Sequence, residues 1–124
     1  MKSPDSLSAA ELCELADLRP RLLDTWRRRG VVSPDDRGRW GRAEATAVLA
    51  LSDALWVLAR AGDAQVYTRD ELVGRVAEKI ARGVRMRLAE VDIELEGRGS
   101  ASITITARLD VASSKIERVL ATRS

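Results

Sequence analysis

The amino-acid sequence predicts an α+β fold, mainly α in its N-terminal half and closed by a helix, β-hairpin, helix module. Three observations carry this expectation. Apolar residues recur at helical intervals from Leu12 to Leu58 and again from Leu72 to Ile80; the period falls to two between Val84 and Leu109; helical spacing returns over Ile116, Val119 and Leu120. Of 124 residues, 45% are hydrophobic and three are proline, which argues for a folded chain.

Each element has a local warrant. Ser8-Ala-Ala-Glu11 has capping-box spacing, in which Ser8 and Glu11 satisfy each other's free backbone donors. A short helix therefore starts there and runs to about Ala16, with Leu12, Leu15 and Ala16 on its apolar side. Asp17-Leu18-Arg19 is brief enough for a tight connection. Pro20 suits a first helical position, where its missing N–H costs nothing, and opens a helix with Leu22, Leu23 and Trp26 on one face until Gly30 ends it. Two short helices so joined form the pattern of a helix-turn-helix. Val31-Val32 reads as a strand, Ser33-Pro34-Asp35-Asp36 as a turn and Gly38-Arg39-Trp40 as the return, a small hairpin of the kind called a wing. From Arg42 to Arg60, Ala45, Val48, Leu49, Leu51, Leu55, Trp56, Leu58 and Ala59 cover much of a helix, which is expected to be the spine of the core.

Gly62-Asp63 closes that helix and divides the chain into residues 1–62 and 63–124. Thr68-Arg-Asp-Glu71 is a second capping-box spacing, and the helix it starts carries Leu72, Val73, Val76, Ala77 and Ile80 and stops near Gly83. Val84, Met86 and Leu88 alternate with Arg85 and Arg87, then Val91, Ile93 and Leu95 with Asp92 and Glu94; the change of parity at Ala89-Glu90 marks a bulge or a strand boundary. Gly97 to Ser100 reads as the turn into a strand with Ile103, Ile105, Ala107 and Leu109 on one face, and a last helix begins at Asp110 or Ser114. A two-stranded hairpin is marginal alone, so it is expected to pack on helices or on a second copy of the chain, and a homodimer is expected.

The charge is unevenly placed. The net charge is +2, yet Arg19 to Arg42 holds eight arginines against Asp24, Asp35 and Asp36, a local +5 that leaves −3 for the rest. Such a concentration suggests a polyanion contact in one segment. The alternating Arg85 and Arg87, with Arg98 and Arg108 opposite, could extend that surface, although Glu90, Asp92, Glu94 and Glu96 make the same strand acidic. With no histidine and only Cys13, the usual zinc sites and His-dependent nucleophiles are nearly excluded; no enzyme and no cofactor are expected. Cys13 lies beside leucines and reads as an inert buried thiol, and all three tryptophans read as core residues. The first residues lack the features of a secretory signal and no run is long enough to span a bilayer, so a reducing cytoplasm is the expected setting and no membrane partner is expected.

The stretch "LRPRLLDTWRRRGVVSPDDRGRWGRAE", Leu18 to Glu44, resembles the DNA-binding domain of the MerR family of transcription regulators. That pattern runs helix, turn, helix ending in an aromatic, charged residues and a glycine, then a strand and turn, then a wing with arginine and an aromatic before a third helix. The resemblance covers roughly residues 8–62. It implies that Pro20 to Arg29 is the recognition helix, that Arg21 meets bases or phosphates, that Arg27 and Arg28 flank the backbone, and that Arg37 and Arg39 reach phosphates or the minor groove. With Arg19 and Arg42 these are the candidate contacts to double-stranded DNA. The physical case stands beside the name, because guanidinium groups bind phosphate in a bidentate way and read guanine edges. Two departures matter: Asp24-Thr25 stands before Trp26 where the family has an arginine and an aromatic pair, and Arg19 replaces a small N-cap residue. The rival reading is a protein-interaction or assembly module, antitoxin-like or a viral packaging adaptor, built on a helix-turn-helix scaffold and using the C-terminal module to bind a protein partner. Cations near a helix C-terminus are also favoured by the backbone dipole alone.

Overall fold

The computed structural model describes residues 5–61, 69–96 and 102–122. In chain order the elements are β1 (Ser6–Leu7), α1 (Ala9–Ala16), α2 (Pro20–Arg28), β2 (Trp40–Gly41), α3 (Arg42–Arg60), α4 (Asp70–Arg85), β3 (Glu90–Glu96), β4 (Ser102–Arg108) and α5 (Leu109–Ala121). The fold is α+β, with five helices and two small antiparallel sheets among the described residues.

Local chemistry sets most of the boundaries. The capping box at α1 forms as its spacing demands: Glu11 N–H donates to Ser8 Oγ at 3.1 Å and Ser8 N–H donates to Glu11 Oε1 at 3.0 Å. Pro20 occupies the first turn of α2. Three helices then end in the same way, with a residue in the left-handed region and two N–H groups folded back onto the last turn. At the end of α2 these are Gly30 (φ +73°), whose N–H reaches Arg27 O at 3.1 Å, and Val31, whose N–H reaches Trp26 O at 2.9 Å. Asp17 and Leu18 do this after α1, and Arg87 and Leu88 after α4.

This ending explains two differences from the sequence reading. Val31-Val32 forms no strand, because the Val31 N–H closes α2 and Val32 turns into the core. The segment 31–40 is therefore no two-stranded hairpin; its only strand residue, Trp40, begins β2, which pairs with β1 through Leu7↔Trp40 and Ser6↔Gly41. Likewise Val84 to Leu88 is not a strand. α4 runs through Gly83 to Arg85, and the N–H groups of Arg87 and Leu88 are spent on Val84 O and Gly83 O. The expected capping box of α4 rests on Thr68, which lies outside the described residues, as do Gly62-Asp63 and the turn at Gly97 to Ser100; the N-cap of α4 is Arg69, without a side-chain cap.

The hairpin of β3 and β4 follows the alternation. Val91↔Ala107 and Ile93↔Ile105 share the inner face, while Asp92↔Thr106 and Glu94↔Thr104 share the outer one, where the Thr106 hydroxyl donates to Asp92 Oδ1 at 2.8 Å. Leu109 leaves the strand pattern and opens α5. The inner face packs on helices of its own chain, since α3 meets β4 and β3 meets α4 and α5. The argument for a second copy from a marginal hairpin lapses accordingly.

α3 is the spine. It touches α1, α4, α5, β2 and β4, and the buried side chains form one cluster from Leu7 to Leu120. No helix among the described residues is long and apolar enough to cross a membrane.

The two glycines of α4 test this packing with opposite signs. A Cβ at Gly83 would collide with Val91 Cγ2 and stand 2.8 Å from Leu109 Cδ1, whereas one at Gly74 meets nothing within 4 Å. In urea unfolding, Gly83→Ala is expected to destabilise by about 1–3 kcal/mol through overpacking, and Gly74→Ala to stabilise by about 0.5–1 kcal/mol through helix propensity.

Candidate nucleic-acid interface

α2 buries Leu23 and Trp26, which turns the opposite side outward. Arg21 and Arg28, seven residues and two turns apart, share that outward face with Asp24 and Thr25 close to it. The Thr25 hydroxyl is committed to the Arg21 carbonyl at 2.9 Å. The following loop is organised by Asp35, whose Oδ1 accepts the N–H groups of Arg37 (2.9 Å) and Arg39 (2.8 Å), while Asp35 N–H donates to Arg39 O at 2.7 Å. Gly38 completes the turn at φ +74°, a conformation that costs glycine nothing. Arg37 is thereby held at an exposed tip.

The structure sorts the predicted arginines by what they already hold. Among the described residues, the exposed side chains of Arg19, Arg21 and Arg37 have no ion pair or hydrogen-bond partner. Arg27 and Arg28 both clasp Asp24, at 2.6 and 3.1 Å, from half-exposed positions. Arg29 pairs with Asp70 and joins the end of α2 to the start of α4. Arg39 is structural: its Nε donates to Ser6 Oγ at 2.9 Å and its Nη2 to Ser6 O at 3.0 Å, fixing the loop to β1. Arg42 holds Asp5 at 2.9 Å and Glu117 at 2.6 Å, bridging the start of α3 to α5.

The electrostatics agree with this sorting. The hydrogen bond from Arg27, with the charge of Arg28 behind it, holds the Asp24 carboxyl below the usual carboxylate range against a smaller opposing effect of burial. The hydrogen bonds it donates to Asp5 and Glu117 hold the Arg42 guanidinium above its ordinary value. Burial pushes the Cys13 thiol up, in keeping with an inert core cysteine.

Two of the three tryptophans are core residues as expected: Trp26 is 2% and Trp40 1% exposed. Trp56 is not, and 55% of it meets solvent. Helical spacing puts Trp56 on the same stripe as Ala45 and Leu49, but the cover supplied by α1 stops at Ala16 and leaves the last turns of the stripe beside a groove. The Arg60 guanidinium lies over its ring, 4.7 Å from the centroid.

The sequence reading named Arg85 and Arg87 but missed the basic surface that leads to them along α4. Arg75, Lys79 and Arg82, at i, i+4 and i+7, are exposed on α4 with Arg85 and Arg87 following, none of them with an ion-pair partner among the described residues. Their helical spacing was the available signal. Arg85 borders the cleft that Ser33 and Pro34 line, which sets the end of α4 against the loop bearing Arg37.

No group of three or more His, Cys, Asp or Glu side chains able to hold a metal occurs among the described residues. No protein-family model matches the chain, and no curated protein and no solved structure matches it.

Two measurements check the sorting of charges. Arg39→Ala should lower stability by about 1–2 kcal/mol in chemical denaturation, because it strips Ser6 of charge-assisted partners. A depressed folded-state value means that Asp24 contributes stability above its unfolded value and loses it as pH falls through the folded one. Carbon-13 NMR titration should therefore place the Asp24 midpoint below the ordinary aspartate range, and Arg27→Ala should move it up.

Proposed function

We propose that the protein binds duplex DNA through α2 and the loop at Asp35–Arg39, as a winged helix-turn-helix regulator of the kind the MerR resemblance implies. The observation that carries this reading is the set of exposed, unpartnered arginines Arg19, Arg21 and Arg37, in a segment whose other arginines, Arg27, Arg28, Arg29, Arg39 and Arg42, are spent on internal contacts. A guanidinium without an internal partner loses no salt bridge when it meets a phosphate, and it releases counterions from DNA. Arg21 stands in the first turn of α2, where a helix in the major groove presents side chains to base edges. Arg27 and Arg28 add less than their number suggests because they share Asp24. Arg39 and Arg42 act through the frame. The Asp35-organised loop takes the place of the expected hairpin wing, and Arg85 on α4 extends the basic surface beside it.

The neutralising clasp at Asp24 is the observation that favours the rival reading, a protein-interaction or assembly module. One experiment separates them: fluorescence anisotropy of a labelled mixed-sequence duplex titrated with the protein at several salt concentrations. DNA binding predicts a log–log slope of roughly 0.9 per phosphate contact, so about 3 from the three free arginines. Arg21→Glu and Arg37→Glu should each weaken binding and flatten the slope by about one or more. Asp24→Asn should strengthen binding and steepen the slope by releasing Arg27 and Arg28. Sedimentation of the complex counts the chains per duplex and tests the expected dimer. Absence of binding at low salt would overturn the DNA reading in favour of a protein partner.

A further inference from the structure

Between the α1–α2 connection and the C-terminal turns of α3 runs an open groove of about 830 Å³, within the range of small-molecule sites. We propose that this groove binds a small planar aromatic carboxylate, its ring against Trp56 and its anionic group on Arg19 and Arg21.

The apolar part is set by Leu22 and Trp56, both bordering the groove, with Leu18 from the connection. A half-exposed indole is a large apolar surface left in water, and an aromatic ring placed on it would remove that surface and gain ring–ring contact. The hydroxyls of the groove are already used: Thr25 donates to Arg21 O and Ser52 to Ala16 O. Recognition of the polar end therefore falls to charged groups. Arg19 and Arg21 line the groove without a partner among the described residues, Arg60 sits over the Trp56 ring, and Lys115 acts on Asp53 from α5. The lining itself carries two arginines and two carboxylates, Asp17 and Asp53; Lys115 offsets Asp53, and Arg60 adds a cation against the Trp56 ring from outside the lining. Desolvation holds the Asp53 carboxyl above the usual range, opposed by Lys115. An anion is favoured at the Arg19 and Arg21 end, where two guanidinium groups two residues apart at the start of α2 have no partner among the described residues, and each guanidinium offers the bidentate geometry that a carboxylate takes best.

Isothermal titration of the whole protein, without DNA, with 2-naphthoate tests the site independently of the DNA reading. Saturable one-to-one binding is expected. Its neutral isostere 2-naphthamide and the ring-free cyclohexanecarboxylate should each bind at least about tenfold more weakly, and so should 2-naphthoate to Trp56→Leu and to the double variant Arg19→Gln, Arg21→Gln. Trp56→Phe keeps a ring and should keep most of the affinity. Circular dichroism checks the fold of each variant, whose altered side chains are all exposed. The proposal is overturned by failure of 2-naphthoate to bind the wild type, by equal binding of the carboxylate and the amide, or by Trp56→Leu binding as tightly as the wild type. A wild-type dimer that Trp56→Leu converts to monomer, without 2-naphthoate binding, would assign the groove to a second copy of the chain and equally overturn it.

Discussion

The burial of α3 is the constraint on which the rest of the molecule depends. This helix of 19 residues buries Ala45, Val48, Leu49, Leu51, Leu55 and Leu58 on one half and Thr46, Ala50 and Ala54 on the other, so burial extends around most of its circumference, far wider than the single stripe of a surface helix. Such a helix is stable only when covered from several directions. α1 and β2 cover one side, α4 another, and α5 with β4 a third. The two halves of the sequence meet on this one element, and Arg42 ties its first turn to Glu117 of α5. Where the cover stops, at Trp56, the chain is left with a groove.

A second constraint is the accounting of backbone donors. After α2 and at the end of α4 the sequence offers short apolar stretches that look like strands, yet N–H groups in both, those of Val31, Arg87 and Leu88, are folded back on the preceding helix. A donor used for a helix ending is unavailable to a sheet ladder. The sheet near the N-terminus is made instead by Ser6–Leu7 and Trp40–Gly41, far apart in the chain, with Arg39 bonded to Ser6 beside the join. This contact turns an arginine from the basic segment into part of the frame.

The same sorting gives the surface its character. Eight arginines lie between Arg19 and Arg42, but charge that is paired internally is neutralised or held in place, and charge without a partner is available. Asp24 absorbs two, Asp70 one, Ser6 one, and Asp5 with Glu117 one. What remains lies at the start of α2 and at the loop tip, two places where a polyanion can reach side chains held on fixed backbone. Arg21 belongs both to this face and to the border of the Trp56 groove.

By itself the sequence determined the α+β class, the positions of the helices, the capping box at Ser8 and Glu11, the glycine ending of α2 and the pattern of the final hairpin. All of these depend on residues within a few positions of one another: caps, left-handed endings and periodicity are local physics. Only the tertiary structure decided that Ser6–Leu7 is a strand, that Trp56 is open while Trp26 and Trp40 are buried, that Gly83 is a packing contact and not a helix stop, and which arginines keep their charge free. Those outcomes depend on partners on other elements, Gly83 against Val91 and Leu109, and on partners tens of residues away, Arg39 against Ser6, Arg42 against Glu117. Periodicity says which side of a helix is apolar; the length and placement of its neighbours decide how much of that side they cover.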